Sequence, residues 1–352
     1  MSMKKYILGL LLMLMTLPMV GMESSWQTHF AYNSVEVIAN CPQEIYALAN
    51  GAIFSVNKTT EAMTLYNNKS GLHGTSVCFL MYDEEREQLL IMYSDGKMDI
   101  QYNGTMHYIS DLYNKRMTSS KKCNNITIHD KFAYLSMDFG IIVFDLEKHE
   151  FKETYYIGEE ASEVKVTDVM FYGDSIYAQT KNKNYSACIH DNVVDFHFWK
   201  VCTALPRPFD TKKGKEYTMQ DGDVWKVAGE KGVFRKFITG EEAYYLPDGP
   251  QVNTPYNMTF DRGRLYVVPG GRWASQNDAA GHIMIYENGE WLNITSKQIQ
   301  GITGKKALDF MNVIVDPEDH EHFFVTSYGT GLYEFKKDVL INHYTPSNSI
   351  LG

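Results

Sequence analysis

A period of about 44 residues constrains this chain more than any other feature. A short apolar motif with an aromatic or bulky centre follows a polar turn seven times, centred on Tyr46, Leu90, Tyr134, Tyr177, Trp225, Tyr266 and Phe324. The steps between centres are 44, 44, 43, 48, 41 and 58 residues. Repeats of roughly 40–50 residues with four strands each are the signature of propeller blades, in which every unit packs only on its neighbours.

The surroundings of each centre repeat as well. A strand and a tight turn come before it, as in Gly173-Asp174 and Asp261-Arg262-Gly263; Asp95-Gly96, Phe139-Gly140 or Gly329-Thr330-Gly331 and a third strand come after it. Asn288-Gly289 then leads to a fourth strand at Trp291–Ile294. Asn-Gly and Asp-Gly between apolar runs favour hairpins, because the tight turn needs positive φ at its centre. No amphipathic helix of three turns is legible. The pattern predicts an all-β chain, a seven-bladed β-propeller of four-stranded antiparallel blades. The expected blade limits are about 35–72, 76–114, 121–158, 164–202, 215–250, 253–297 and 307–345. The sixth step is long because blade six carries an insertion, Gly270–Gly281, and Ile299–Lys306 lengthens the next crossing. For the closing strand two segments compete, Trp26–Phe30 and Val339–Tyr344.

The amino terminus sets the expected compartment. Lys4 and Lys5 precede a short apolar run and the small residue Gly21, the pattern of a secretory signal peptide over residues 1–21. Residues 22–352 form the expected mature propeller, with no later run long enough to span a bilayer. Export to the periplasm or cell surface follows. Losing Lys4 and Lys5 takes the formal charge from −10 to −12. So acidic a chain offers little to a phosphate backbone, and nucleic acid is not an expected partner. The basic pairs Lys121-Lys122 and Lys212-Lys213 read as solvated loops. The five cysteines have no CxxC spacing. Cys78 reads as a small core residue, and Cys188 with Cys202 is the one local pair to test as a disulfide.

Three clusters invite a chemical reading. Arg272, Trp273, Gln276, Asn277 and Asp278 in the blade-six insertion combine a ring with polar groups, the chemistry of a sugar or anion site. A packed loop is the plainer reading of the same residues. Asp316-Pro317-Glu318-Asp319-His320-Glu321-His322 holds carboxylates and histidines but matches no metal-ligand spacing, and reads as a polar hairpin. Asp195–Lys200 alternates like an outer strand. No GxSxG, HExxH, P-loop or Rossmann pattern occurs, so neither an enzyme nor a cofactor is expected.

The phrases Ser70-Gly71-Leu72, Leu80-Met81-Tyr82-Asp83 and Leu89-Leu90-Ile91-Met92-Tyr93-Ser94-Asp95-Gly96 resemble two-component regulator propeller repeats. Longer stretches resemble the amino-terminal propeller of the PorZ family of type IX secretion components. These are Ala133–Leu146, Thr154–Gly158, Val267–Arg272, Met284–Trp291, Val315-Asp316-Pro317 and Ser327–Phe335. The resemblance implies a non-catalytic envelope or surface protein that binds a sortase-like partner or a glycan such as lipopolysaccharide, in cargo anchoring. It also implies further domains, a second propeller and a β-sandwich, that these residues do not contain. A periplasmic ligand-sensing propeller, related to hybrid two-component regulators, is the alternative expectation.

Overall fold

The computed structural model describes residues 27–271 and 277–350. They form seven four-stranded antiparallel sheets, each with its strands in chain order. The strands of blades one to seven lie within residues 35–66, 77–109, 123–155, 166–202, 216–245, 257–294 and 310–344. No helix of the described residues is long and apolar enough to cross a membrane.

Burial explains why the centre of each blade reads as a nearly unbroken apolar run. In blade one, Glu44–Ala49 is buried at every position after its first residue. Side chains alternate between two faces of a sheet, so burial of both parities means both faces are covered. Tyr46 and Leu48 face a core shared with blades two and three, whereas Ile45, Ala47 and Ala49 face a different core. The outer strand Met63–Tyr66 is largely exposed. Such a stack of doubly covered sheets is the propeller arrangement.

The packing order is not the chain order. Blades one, two and three share one apolar cluster, and blades three and four share the next. The other face of blade one is covered by blade five: Trp225, Val233 and Tyr245 pack on Ile45, Ala47, Ala52 and Phe54. Val35 N donates to Gly229 O at 3.2 Å, and Arg235 of blade five reaches Lys58 O at 3.0 Å. Blades six and seven share a separate cluster built on Tyr266, Ile283, Phe310 and Phe335. The array therefore runs five, one, two, three, four, with six and seven as a pair beside it.

The pair is joined to the array by residues 27–33 and 246–256. Trp291 Nε1 donates to His29 Nδ1 at 3.1 Å, and Asn33 Nδ2 donates to Gln251 O at 3.0 Å. The competition for the last strand is resolved here. Val339–Tyr344 pairs with Leu332–Lys336 as the fourth strand of blade seven, while residues 27–30 form no strand. His29 and Phe30 lie against blade six, and Trp26 falls outside the described residues.

Two local expectations are corrected. Asp195–Lys200 is not an outer strand: Asp195 caps a 3-10 turn at Phe196–Phe198, and the strand runs Lys200–Cys202. The capping carboxylate accepts from His197 N, which bends the chain where alternation alone predicts extension. Cys188 and Cys202 are both free thiols. Register explains why, since Cys202 lies opposite Asn184, four positions along the strand from Cys188. At about 3.3 Å per residue this separates them by roughly 13 Å, beyond disulfide reach.

The lengthened crossing before blade seven holds a helix, Ser296–Thr303. Thr295 and Gln298 form a reciprocal capping box at its start, and Gly304 ends it at φ 69°.

Candidate functional site

The inner strands of blades one to four, Val35–Asn40, Val77–Asp83, Cys123–His129 and Val166–Tyr172, line a cavity of about 840 Å³ on the axis of the array. The crossing from blade four to blade five runs through it. Leu205, Pro208, Phe209, Asp210 and Thr211 line the cavity, and Gly214 sits against Val37 and Phe79 on the far side. Ile38 N donates to Gly214 O at 2.7 Å, which anchors the crossing to blade one.

The cavity walls are polar and of mixed charge. Glu36, Asp168 and Asp210 supply carboxylates; Lys122, Lys213 and Lys215 supply ammonium groups. Lys213 departs from the solvated loop expected for it. Its side chain turns inward, donating to Asp168 Oδ1 at 2.6 Å and to Thr127 Oγ1 at 2.7 Å. Its neighbour Lys212 is exposed and pairs with Glu216. Asp168 also accepts from Val169 N at 2.8 Å, so the pair is locked to blade four. Asn125 Oδ1 lies among these groups, buried and with no hydrogen-bond partner among the described residues. A buried acceptor without a donor is costly, so a ligand donating there is favoured.

Cys78 and Cys123 line the same cavity. Burial pushes the Cys78 thiol up to about 11 and the Cys123 thiol well above its ordinary range. Both are protonated near neutral pH, which removes the thiolate needed of a nucleophile.

Among the described residues, none of the candidate ligand-binding residues singled out by sequence lines this cavity. Arg272, Trp273 and Gln276 fall outside the described residues. Asn277 and Asp278 are exposed, on the outgoing limb of the blade-six insertion. That limb is tied down by Asp309, whose carboxylate accepts from Asp278 N at 3.0 Å and Ala279 N at 2.9 Å. On the incoming side Gly270, at φ 67°, lies so close to Tyr256 that a Cβ would sit 2.0 Å from the ring. The described ends of the insertion, Gly270-Gly271 and residues 277–281, are thus seated between blades six and seven, away from the axial cavity.

The acidic and histidine-rich segment forms the expected hairpin between the first two strands of blade seven. Most of its groups are spent on protein partners. His322 bridges Asp316 at 3.1 Å and Glu334 at 2.8 Å, His320 meets Arg262 of blade six, and Asp319 pairs with Lys336. Hydrogen bonds to Glu334 and Asp316 raise the His322 pKa. Backbone and histidine bonds hold Asp316 below the usual carboxylate range, and the Tyr344 hydroxyl does the same for Glu334.

None of the cavity residues belongs to a short motif, so no sequence signal pointed to them individually. The one available clue was the 48-residue step into blade five, which carries the Pro-flanked crossing.

Comparison with known proteins agrees with this architecture. Residues 45–200, from blade one into the last strand of blade four, match the family model for the N-terminal beta-propeller domain of PorZ of the type IX secretion system. Over this stretch, somewhat under half of its length, the chain is similar to the PorZ N-terminal propeller. A solved structure of PorZ is similar, with a TM-score of 0.77 at 22% identity over 93% of this chain and 54% of that one. It is described as an essential surface component of the type-IX secretion system of Porphyromonas gingivalis. Extracellular domains of two putative regulators from B. thetaiotaomicron align more loosely. BT4673, a putative one-component system, has a TM-score of 0.40 at 12% identity over 94% of this chain and 50% of that one. BT3049, a putative hybrid two-component system, has 0.37 at 13% over 94% and 54%. The chain spans about half the length of these structures. No curated protein matches it.

Proposed function

We propose that this protein is an exported binding module of the cell envelope, working in type IX secretion, with the axial cavity of blades one to five as its ligand site. The expected signal peptide over residues 1–21 fits this role. The observation that carries the reading is the mixed set of polar and charged groups lining one cavity, among which Asn125 Oδ1 is buried and has no hydrogen-bond partner among the described residues. Interleaved acceptors and ammonium groups suit a hydroxyl-rich ligand, because each hydroxyl both donates and accepts. A glycan of the envelope is that ligand class, and lipopolysaccharide is its form on a Gram-negative surface. A sortase-like partner would then meet the rim loops of the same array.

Titration calorimetry with purified envelope lipopolysaccharide and its delipidated polysaccharide tests the assignment. The intact chain should bind at least one of them, and Asn125→Ala should weaken binding about tenfold, the loss of one strong hydrogen bond. Asn277→Ala should leave binding unchanged. Heat signals absent for both glycans, or an Asn125→Ala chain that binds as well as the parent, would overturn the proposal.

A further inference from the structure

The inner strands of blades one to four share one irregularity. Each carries a β-bulge, which leaves Glu36, Cys78, Asn124 and Thr167 as the extra residues. A bulge breaks the alternation and re-aims its residue, and all four of these line the axial cavity. In blade three that residue crosses to the neighbouring blade. Asn124 Nδ2 donates to Val166 O at 2.9 Å, and Val166 is the residue just before the bulge of blade four. Cys78 holds the corresponding place in blade two, and the residue just before the bulge of blade three is Cys123. The contact follows the same rule. The backbone N–H of Cys123 bonds the Cys78 sulfur, and that nitrogen is only three bonds from Cys123 Sγ. The seam that an amide ties between blades three and four therefore holds two thiols between blades two and three. Cys41, Cys188 and Cys202 do not line the cavity.

We propose that Cys78 and Cys123 form a disulfide that staples blade two to blade three along the wall of the axial cavity. The electron acceptor is a disulfide oxidant of the envelope, such as an oxidised small thiol, so the setting rests on the export proposed above. Cys78 is partly exposed and Cys123 fully buried, so Cys78 reacts first. Its thiolate attacks the S–S bond of the oxidant, giving a mixed disulfide and one released thiolate. The Cys123 thiolate then displaces the second oxidant thiolate from the Cys78 sulfur. Two protein thiols are oxidised, one oxidant disulfide is reduced, and the two protons end on the released thiols. Cys123 Sγ gives up its 3.2 Å bond to Asn125 O, a weak one because a thiol is a weak donor. Burial raises both thiols, so the exchange is slow near neutral pH and quickens as pH rises. The link closes a long loop, from residue 78 to residue 123, and so restrains the unfolded chain strongly.

Tryptic mapping of the chain after incubation with glutathione disulfide tests the proposal. The peptides of residues 70–86 and 123–131 should appear joined, about 2 Da below the sum of their masses, and should part on adding reductant. Joining should run several-fold faster at pH 8 than at pH 7, as thiolate becomes available. The linked chain should melt several degrees above the reduced one, and Cys78→Ser should show no such difference between the two treatments. Cys78 is the position to replace, because it lies on the open side of the seam and Cys123 is fully buried. A chain that at equilibrium stays reduced, or carries glutathione on Cys78 alone, overturns the inference. So does a link from either thiol to Cys41, Cys188 or Cys202. A link that forms with glutathione disulfide, yet is absent from protein alkylated directly in its native envelope, upholds the pair and counts against the envelope location.

Discussion

His322 shows how a residue suggestive of chemistry becomes structural. It lies between Asp316 and Glu334, and Glu334 in turn takes Tyr344 Oη at 2.6 Å and Asn342 Nδ2 at 2.7 Å. The pKa shifts give this network a definite pH signature. A raised histidine adds stability that is full below its unfolded value, near 6.5, and lost as pH climbs through the folded value. Lowered carboxylates add stability that is present above their unfolded values, near 4, and lost as pH falls through the folded ones. The contributions overlap in mildly acid solution. Melting of the parent and of His322→Gln should differ most at about pH 5–6, with the gap narrowing above about pH 8 and below about pH 3. A gap that widens steadily toward alkaline pH would show that the histidine is not held charged. The histidines and carboxylates were plain in the sequence. Their saturation by one another depends on Glu334 and Tyr344, brought alongside by strand pairing.

At the scale of one blade, the turn between second and third strands recurs with a common constraint. Gly140, Gly232 and Gly331 have φ of 150°, 82° and 105°, and a Cβ at each would come 2.3, 2.1 and 2.1 Å from the carbonyl oxygen of Tyr155, Tyr245 or Tyr344. Each of those tyrosines ends the fourth strand of the same blade. The glycine lets the fourth strand close onto the third, so it is a packing requirement as well as a turn requirement. Gly331→Ala should destabilise by more than about 1 kcal/mol, since alanine meets both positive φ and a backbone atom that cannot yield. Gly289→Ala provides the contrast, because it shares the positive φ (91°) but has nothing within 4 Å of the added atom. Urea unfolding of both should give the larger loss for Gly331→Ala; equal losses would assign the whole cost to φ. Turn glycines and strand order were legible because hairpins are local. The 3-10 turn at Phe196–Phe198 was not, because one capping carboxylate outweighed the alternation around it.

The whole molecule behaves as a five-blade array and a two-blade pair joined by residues 27–33 and 246–256. Their apolar cores are separate, so stability should not be uniform along the chain. Trp225 is 1% exposed at the seam between blades five and one, and Phe323 is fully buried between blades six and seven. Truncating either to alanine should cost about 3–5 kcal/mol in its own unit. Scanning calorimetry should show Trp225→Ala lowering one transition and Phe323→Ala another. A single transition lowered equally by both variants would mean the two units melt as one.

The chain alone determined its class, its blade count and most of the strands within each blade, because hairpin turns, a 44-residue period and short apolar runs are all local properties of the sequence. Only the tertiary structure decided that blade five covers blade one, that Val339–Tyr344 completes blade seven, and that Lys213 crosses the axis to reach Asp168. The physical reason is common to all three. Every blade offers two apolar faces of similar composition, so no local pattern names the neighbour that will cover a given face. That choice belongs to long-range contacts such as Trp225 on Phe54 and Arg235 on Lys58. The axial cavity inherits the same limit, since Asn125, Asp168 and Lys213 become one site only after the blades have found their places.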